Sequence, residues 1–166
     1  MQDLSLFFGR FHPLIVHIPI GIIVFAFVLE LVGTITQVNY KKAIVLAYLL
    51  TAISGAFAAF IGYLLSTSGG YDESTLGWHK WLGILASLIS LVLAKFKSST
   101  RLDKSFGKIT VSQVGLALLL VVISITGHLG GNLTHGETYL IEYMPGSLKQ
   151  IFTSGNTEIK EDSKPL

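Results

Sequence analysis

Histidines are the residues of this chain best suited to chemistry, and the sequence contains five of them. They are His12, His17, His79, His128 and His135. Imidazole binds iron, copper, zinc and nickel, and it changes charge close to neutral pH. The chain has no cysteine, which excludes disulfides, thiolate metal sites and covalently attached c-type haem within it. Histidine-based binding of a metal or of haem is therefore the chemistry to weigh.

Other site chemistries have little support in the sequence. Ser124 and Thr126 lie close to His128, but no acid follows to complete a catalytic triad. Gly130 and Gly131 are not followed by the Lys-Ser or Lys-Thr of a phosphate-binding loop. The acidic residues are too few inside the apolar segments for a di-iron carboxylate centre, which needs several inward-facing glutamates.

The elements that must position the histidines are membrane helices. Hydrophobic residues make up 51% of the chain and charged residues only 13%, against about 25% charged in soluble domains. The apolar residues form long blocks with few charges, as expected for helices in lipid. The net charge of +2 gives no reason to expect nucleic acid as a partner.

We predict an all-α fold, an up-and-down bundle of four transmembrane helices with both termini outside. The predicted spans are residues 13–34, 42–66, 78–94 and 109–129, followed by a polar, partly disordered tail at 132–166. Pro19 is expected to kink the first span, and Gly130–Gly131 to stop the fourth. Glu30 is expected to reach solvent at the interface. We find no convincing internal repeat.

Loop charge sets the predicted orientation. The loops after the first and third spans carry seven basic residues: Lys41, Lys42, Lys95, Lys97, Arg101, Lys104 and Lys108. Basic loops stay in the cytoplasm, so we expect a protein of the bacterial cytoplasmic membrane whose opposite end faces the periplasm. All five histidines fall at that opposite end, because spans one and three begin there and span four ends there.

Imidazoles at one depth on several helices suit a b-type haem, which takes two of them as axial ligands. We predict that His17, His79 and His128 form the buried set that supplies these ligands, without choosing the pair. His12 and His135 lie at the mouth, where they could bind a second haem, contact haem propionates or transfer protons. Gly21, one turn after His17, could admit a porphyrin edge or soften the helix near Pro19.

Three stretches carry a family resemblance: GRFHPLIVHIPIG at 9–21, LGWHKWLG at 76–83 and TGHLGGNLTHGETYL at 126–140. Together they resemble a bacterial family of four-span membrane domains, the domain of unknown function 2231. All five histidine positions of that pattern are filled here. Members of the family are often joined to a cytochrome c domain, and the resemblance therefore implies a redox role. This chain has no haem-attachment motif, so we expect any c-type cytochrome partner to be a separate chain.

The leading hypothesis is a membrane cytochrome b, an oxidoreductase or electron-transfer subunit. It would bind one or two haem b groups and relay electrons between quinol in the bilayer and a periplasmic carrier. The alternatives are a haem-free module that binds or transports copper, zinc or nickel, and a structural subunit whose histidines only form hydrogen bonds. Each is compatible with a homo-oligomer.

Overall fold

A computed structural model describes residues 2–99, 105–106, 109–136 and 145. The helices are α1 (Gln2–Gly9), α2 (His12–Ile15), α3 (His17–Thr36), α4 (Lys41–Ser66), α5 (Glu73–Ser98) and α6 (Val111–His135). Two short strands, β1 (Ser105–Phe106) and β2 (Ile109–Thr110), pair antiparallel between α5 and α6. Within this part of the chain, four helical segments are long and apolar enough to cross a membrane. The predicted all-α, four-span fold is confirmed.

The first span begins with a break in the helix. Residues 12–36 are helical except at Val16, which separates α2 from α3. Pro19 lies within α3 and has no N–H to donate to the carbonyl of Ile15, one turn earlier. The interruption therefore lies just before the proline rather than at it. Residues before this span are also helical, since α1 covers Gln2–Gly9.

Small and aliphatic side chains, together with Tyr48, fill most of the interior of the bundle. The buried cluster consists of Ile23, Ala26, Ile44, Ala47, Tyr48, Ala86, Leu93, Ala94, Leu116 and Leu119. Glycines bring the helices close: a Cβ on Gly115 would collide with Leu93, and one on Gly55 with Ser87. Many large apolar side chains, Phe25 and Phe57 among them, instead point outward. That pattern fits a lipid solvent, where packing of small residues holds helices together.

The ends of α5 and α6 differ from the expected spans. Asp72 caps α5 by accepting a hydrogen bond from the Thr75 backbone N–H (2.7 Å), so this helix begins at Glu73 instead of residue 78. The predicted helix stop at Gly130–Gly131 is wrong, because α6 continues to His135 and is followed by Gly136 with a φ of 87°. Glycine in mid-helix costs stability but does not end a helix by itself.

The chain divides into two units, Met1–Gly130 and Gly131–Leu166. In the second unit, the Gly136 backbone N–H donates to the Asn132 carbonyl (2.9 Å), which closes the last helical turn. Most of the predicted polar tail, residues 137–144 and 146–166, lies outside the described residues. The bundle interior and the histidine pair described below belong to the first unit.

Glu30 is buried, and the expectation that it reaches solvent is wrong. Its carboxylate forms an ion pair with Lys97 (Nζ to Oε1, 2.5 Å) and accepts a hydrogen bond from Gln113 Nε2 (3.2 Å). Glu30 and Lys97 are 8% and 9% exposed. The reason is the length of α5, which continues to Ser98 and carries the lysine to the acid. We call this region, formed by Glu30, Lys97 and Gln113, the charged end.

Gly9 provides a test of how α1 packs on α4. A Cβ on Gly9 would lie 2.7 Å from the backbone nitrogen of Leu65 and 2.8 Å from its Cα. Gly9→Ala should therefore lower the free energy of unfolding by about 1–3 kcal/mol, measured by thermal melting in detergent. Gly21→Ala is the matched control, because a Cβ there meets nothing within 4 Å. Equal effects of the two substitutions would contradict this packing.

The Asp72 cap predicts a pH dependence at the start of α5. The backbone N–H of Thr75, with further hydrogen bonds from the Thr75 side chain and the Ser74 backbone, lowers the pKa of Asp72. A lowered pKa means that the cap stabilises the helix above the ordinary aspartate pKa, and that this stabilisation disappears as pH falls through the lowered value. Amide exchange at Thr75 should accelerate over that acidic range. Asp72→Asn, which still caps, should remove the pH dependence, and Asp72→Ala should give fast exchange throughout.

Candidate functional site

Two of the five histidines, His12 and His79, lie together between the helices. Their ring centroids are 6.0 Å apart and the ring planes are nearly perpendicular, at 88°. Both residues are half-buried. They come from the first residue of α2 and from the second turn of α5, at the end of the bundle opposite Glu30 and Lys97. We call this region, formed by His12, His79 and their contacts, the histidine end.

His12 is fixed by α4. Its Nδ1 lies 2.9 Å from the carbonyl oxygen of Ala58. Its ring packs on Gly62, one turn further along α4, where a Cβ would come within 2.7 Å of the ring atom Cε1. Only glycine leaves room for the imidazole at this point. The position of His12 therefore depends on a backbone carbonyl and on a missing side chain in the neighbouring helix.

His79 is fixed by α6 in the same manner. Its Nδ1 lies 2.9 Å from the carbonyl oxygen of Thr126, and its ring packs on Gly130, one turn later, where a Cβ would lie 2.9 Å from Cε1. The flanking Trp78 and Trp81 are exposed, as in an aromatic belt at a membrane interface. His79 thus points between the helices while its tryptophan neighbours point outward.

These hydrogen bonds determine which nitrogen of each ring carries a proton. A backbone carbonyl can only accept, so Nδ1 of His12 and of His79 must donate to it. In the neutral imidazole, Nε2 then carries the lone pair. A hydrogen bond from one ring nitrogen to a carbonyl is the usual support for a histidine that binds metal through the other nitrogen. Both rings are therefore held in a form that can act as a ligand.

His17 and His128 lie elsewhere. Both are exposed, and the expectation that they belong to a buried set with His79 is wrong for this chain. The Nδ1 of His17 donates within its own segment, to the Pro13 carbonyl (2.6 Å). Pro13 lies one turn before His17, so this contact turns the ring along the helix surface instead of into the bundle. His12, which we placed at the mouth, takes the interior position instead.

His135 and Gly21 are also outside the pair. His135 is exposed and ends α6 in the second unit of the chain. Gly21 is exposed, and nothing lies within 4 Å of the position that its Cβ would take. Among the described residues, no group of three or more His, Asp or Glu side chains is arranged to hold a metal ion. The site that the structure assembles consists of two imidazoles.

Sequence reasoning missed the two glycines that support the pair. The sequence analysis did not single out Gly62, and it predicted a helix stop at Gly130. In both cases the glycine lies four residues after the residue whose carbonyl accepts the histidine hydrogen bond, at 58 and 62 in α4 and at 126 and 130 in α6. This spacing can be recognised as part of a site only when the histidine that packs on the glycine is known.

Comparison with known proteins places the chain in a family. The family model described as "Predicted membrane protein (DUF2231)" matches residues 10–138, a range that includes all five histidines. No curated protein and no solved structure matches the chain. The resemblance carried by the three histidine-containing stretches is thereby confirmed, and the chain belongs to the DUF2231 family of predicted membrane proteins.

Proposed function

We propose that this protein is a membrane b-type cytochrome in which His12 and His79 would hold one haem. The observation that carries the proposal is the pair itself: two imidazoles from different helices, each with Nδ1 donated to a backbone carbonyl, with ring centroids 6.0 Å apart. Of the ligands predicted from the sequence, His79 belongs to this pair, and His12 stands where His17 or His128 was expected.

The spacing of the pair fits one metal ion between the rings. Bonds from a metal to imidazole nitrogen are about 2.0–2.1 Å long, so two imidazoles that both bound one ion would have centroids roughly 6 Å apart. The separation of 6.0 Å is of that size. Each Nε2 is also freed for binding by the hydrogen bond at Nδ1.

The number of ligands favours haem over a bare metal ion. Structural and catalytic zinc sites use three or four protein ligands, and no third His, Asp or Glu joins the pair among the residues described. A porphyrin supplies four nitrogens itself and needs only two axial ligands. When bound, haem would supply one-electron chemistry, while the two carbonyls and two glycines would fix the ligand rings.

The surroundings of the pair suit exchange of electrons at a membrane surface. Phe7, Phe8 and Phe11 lie close to His12 in the sequence, Trp78 and Trp81 flank His79, and all five side chains are exposed. Exposed aromatic residues of this kind support a position of the histidine end near a membrane interface. Loop charge favours a periplasmic position for this end. Quinol from the bilayer as donor and a separate c-type cytochrome as acceptor are the partners that we propose for this position.

A reduced-minus-oxidised absorption spectrum of the purified protein tests the proposal. We expect a b-type haem spectrum after dithionite, and about one non-covalent haem per chain after extraction. His12→Ala and His79→Ala should each abolish haem binding. His17→Ala and His128→Ala, matched histidine removals at exposed positions, should retain it.

Two other results would replace the proposal. Copper, zinc or nickel in the purified protein, without porphyrin, would indicate a haem-free metal site. Absence of both haem and metal, with lowered thermal stability of His12→Ala and His79→Ala, would indicate that these histidines serve only as hydrogen-bonding contacts between helices.

The supporting glycines give a second prediction. Gly62→Ala and Gly130→Ala should each displace one imidazole, because the new Cβ would lie within 3 Å of the ring. We expect a shifted reduction potential and an altered low-spin haem spectrum in both variants. Gly127→Ala, at an exposed α6 position with nothing within 4 Å, should leave both unchanged. Unaltered spectra in the Gly62 and Gly130 variants would show that these glycines do not position the ligands.

A further inference from the structure

The buried positions of α3 recur in α5 at a constant distance along the chain. The buried residues of α3 are Pro19, Ile23, Ala26 and Glu30, and those of α5 include Ala86, Ser90, Leu93 and Lys97. Taken in order, each pair is 67 positions apart. All four buried residues of α3 therefore have a buried equivalent in α5, although none of the four pairs shares a residue type.

The second helix of each hairpin shows the same correspondence. The buried residues of α6 are Ser112, Leu116 and Leu119. Each lies 68 positions after a buried residue of α4, in turn Ile44, Tyr48 and Thr51. The two distances differ by a single residue, so α3–α4 and α5–α6 expose and bury the same faces in the same order.

The contacts at the histidine end are related by the same separations of 67 and 68 positions along the chain. His12 precedes His79 by 67 positions, and the carbonyl and glycine that hold it, Ala58 and Gly62, precede Thr126 and Gly130 by 68. The hydrogen bonds are both 2.9 Å long, and the glycine contacts differ by only 0.2 Å at Cε1. One supporting arrangement therefore occurs twice in the chain.

Equivalent residues also meet each other at both ends of the bundle. His12 contacts His79 at the histidine end, and Glu30 contacts its own equivalent, Lys97, at the charged end. Residues that contact their own equivalents lie on a two-fold axis. Because α3 and α5 run in the same direction between these ends, the axis runs along the bundle, as in membrane proteins built from parallel repeats.

We infer that the chain is a tandem repeat of one helical hairpin, α3–α4 and α5–α6, and we propose that the Glu30–Lys97 pair makes the two hairpins pair with each other. Two copies of a repeat also have matching apolar faces, so the first hairpin of one chain fits the first hairpin of a second chain. Positions 30 and 97 are equivalent in the two hairpins but carry opposite charges. This difference distinguishes pairing of the two hairpins within one chain from pairing of like hairpins from two chains.

The distinction is electrostatic. Pairing within one chain places Glu30 against Lys97. Pairing of like hairpins from two chains places Glu30 against Glu30, or Lys97 against Lys97, at a position that is nine-tenths buried. Unpaired charges inside a membrane bundle are costly, whereas apolar side chains at the same positions would fit either arrangement. A buried ion pair is then a determinant of partner choice more than of stability.

A disulfide between two chains can detect the pairing of their like hairpins. The natural sequence has no cysteine, and His12 lies on the axis, so His12→Cys places a thiol where position 12 of a second chain would meet it. With Glu30 and Lys97 intact, mild oxidation of the full-length protein in detergent should give little covalent dimer. In the Glu30→Leu/Lys97→Leu background, we expect about tenfold more covalent dimer. That ratio corresponds to a preference of about 1.4 kcal/mol for pairing within one chain when the charges are present.

Two controls accompany this comparison. Phe25→Cys, on the outward face, measures random collisions and should give the same amount of dimer in both backgrounds. The charge swap Glu30→Lys/Lys97→Glu should restore the low dimer yield of the parent, which provides a result even if the leucine variant does not fold. Equal dimer yields from His12→Cys with and without the charges, or a swap that forms as much dimer as the leucine variant, would overturn the proposal.

Discussion

Polar groups inside a lipid-solvated bundle must find their partners within the protein, and this constraint shapes both ends of the molecule. At one end, two imidazoles donate to the carbonyls of Ala58 and Thr126. At the other, the carboxylate of Glu30 is compensated by Lys97 and Gln113. Between them lie small and aliphatic side chains that allow the helices to approach. The bundle thus has a mainly apolar interior, which also contains the hydroxyls of Thr51, Ser90 and Ser112, and a paired polar contact at each end.

The histidine contact is the arrangement with capacity for chemistry. A backbone carbonyl holds a proton on Nδ1 of each ring, and a glycine one turn later fixes the position of the ring. Both effects leave Nε2 as the reactive nitrogen, which is the form that a metal ion requires. The same hydrogen bonds would hold the helices together without any cofactor, so the proposal of a haem rests on the pairing and spacing of the rings and not on their burial.

The repeat explains why the two polar pairs lie where they do. Residues on the two-fold axis meet their own equivalents. At the histidine end these are two imidazoles, and at the charged end they are the opposite charges of Glu30 and Lys97. Like imidazoles can share one metal ion, whereas like charges could not share a buried position. The histidine pair therefore keeps the symmetry of the hairpins and the ion pair breaks it. The histidine site is therefore symmetric, whereas the ion pair determines that each hairpin pairs with the other hairpin of the same chain.

The sequence by itself determined the four spans and the family, because long apolar blocks and local motifs are properties of neighbouring residues. Only the tertiary structure decided which histidines meet. His17 and His12 are five residues apart on either side of the break at Val16, and His12 faces inward where Gly62 of α4 leaves room for its ring. The burial of Glu30 and the internal repeat were not recognised from the sequence either. Both depend on which faces of distant helices pack together, and the repeat preserves burial while the residue types have changed.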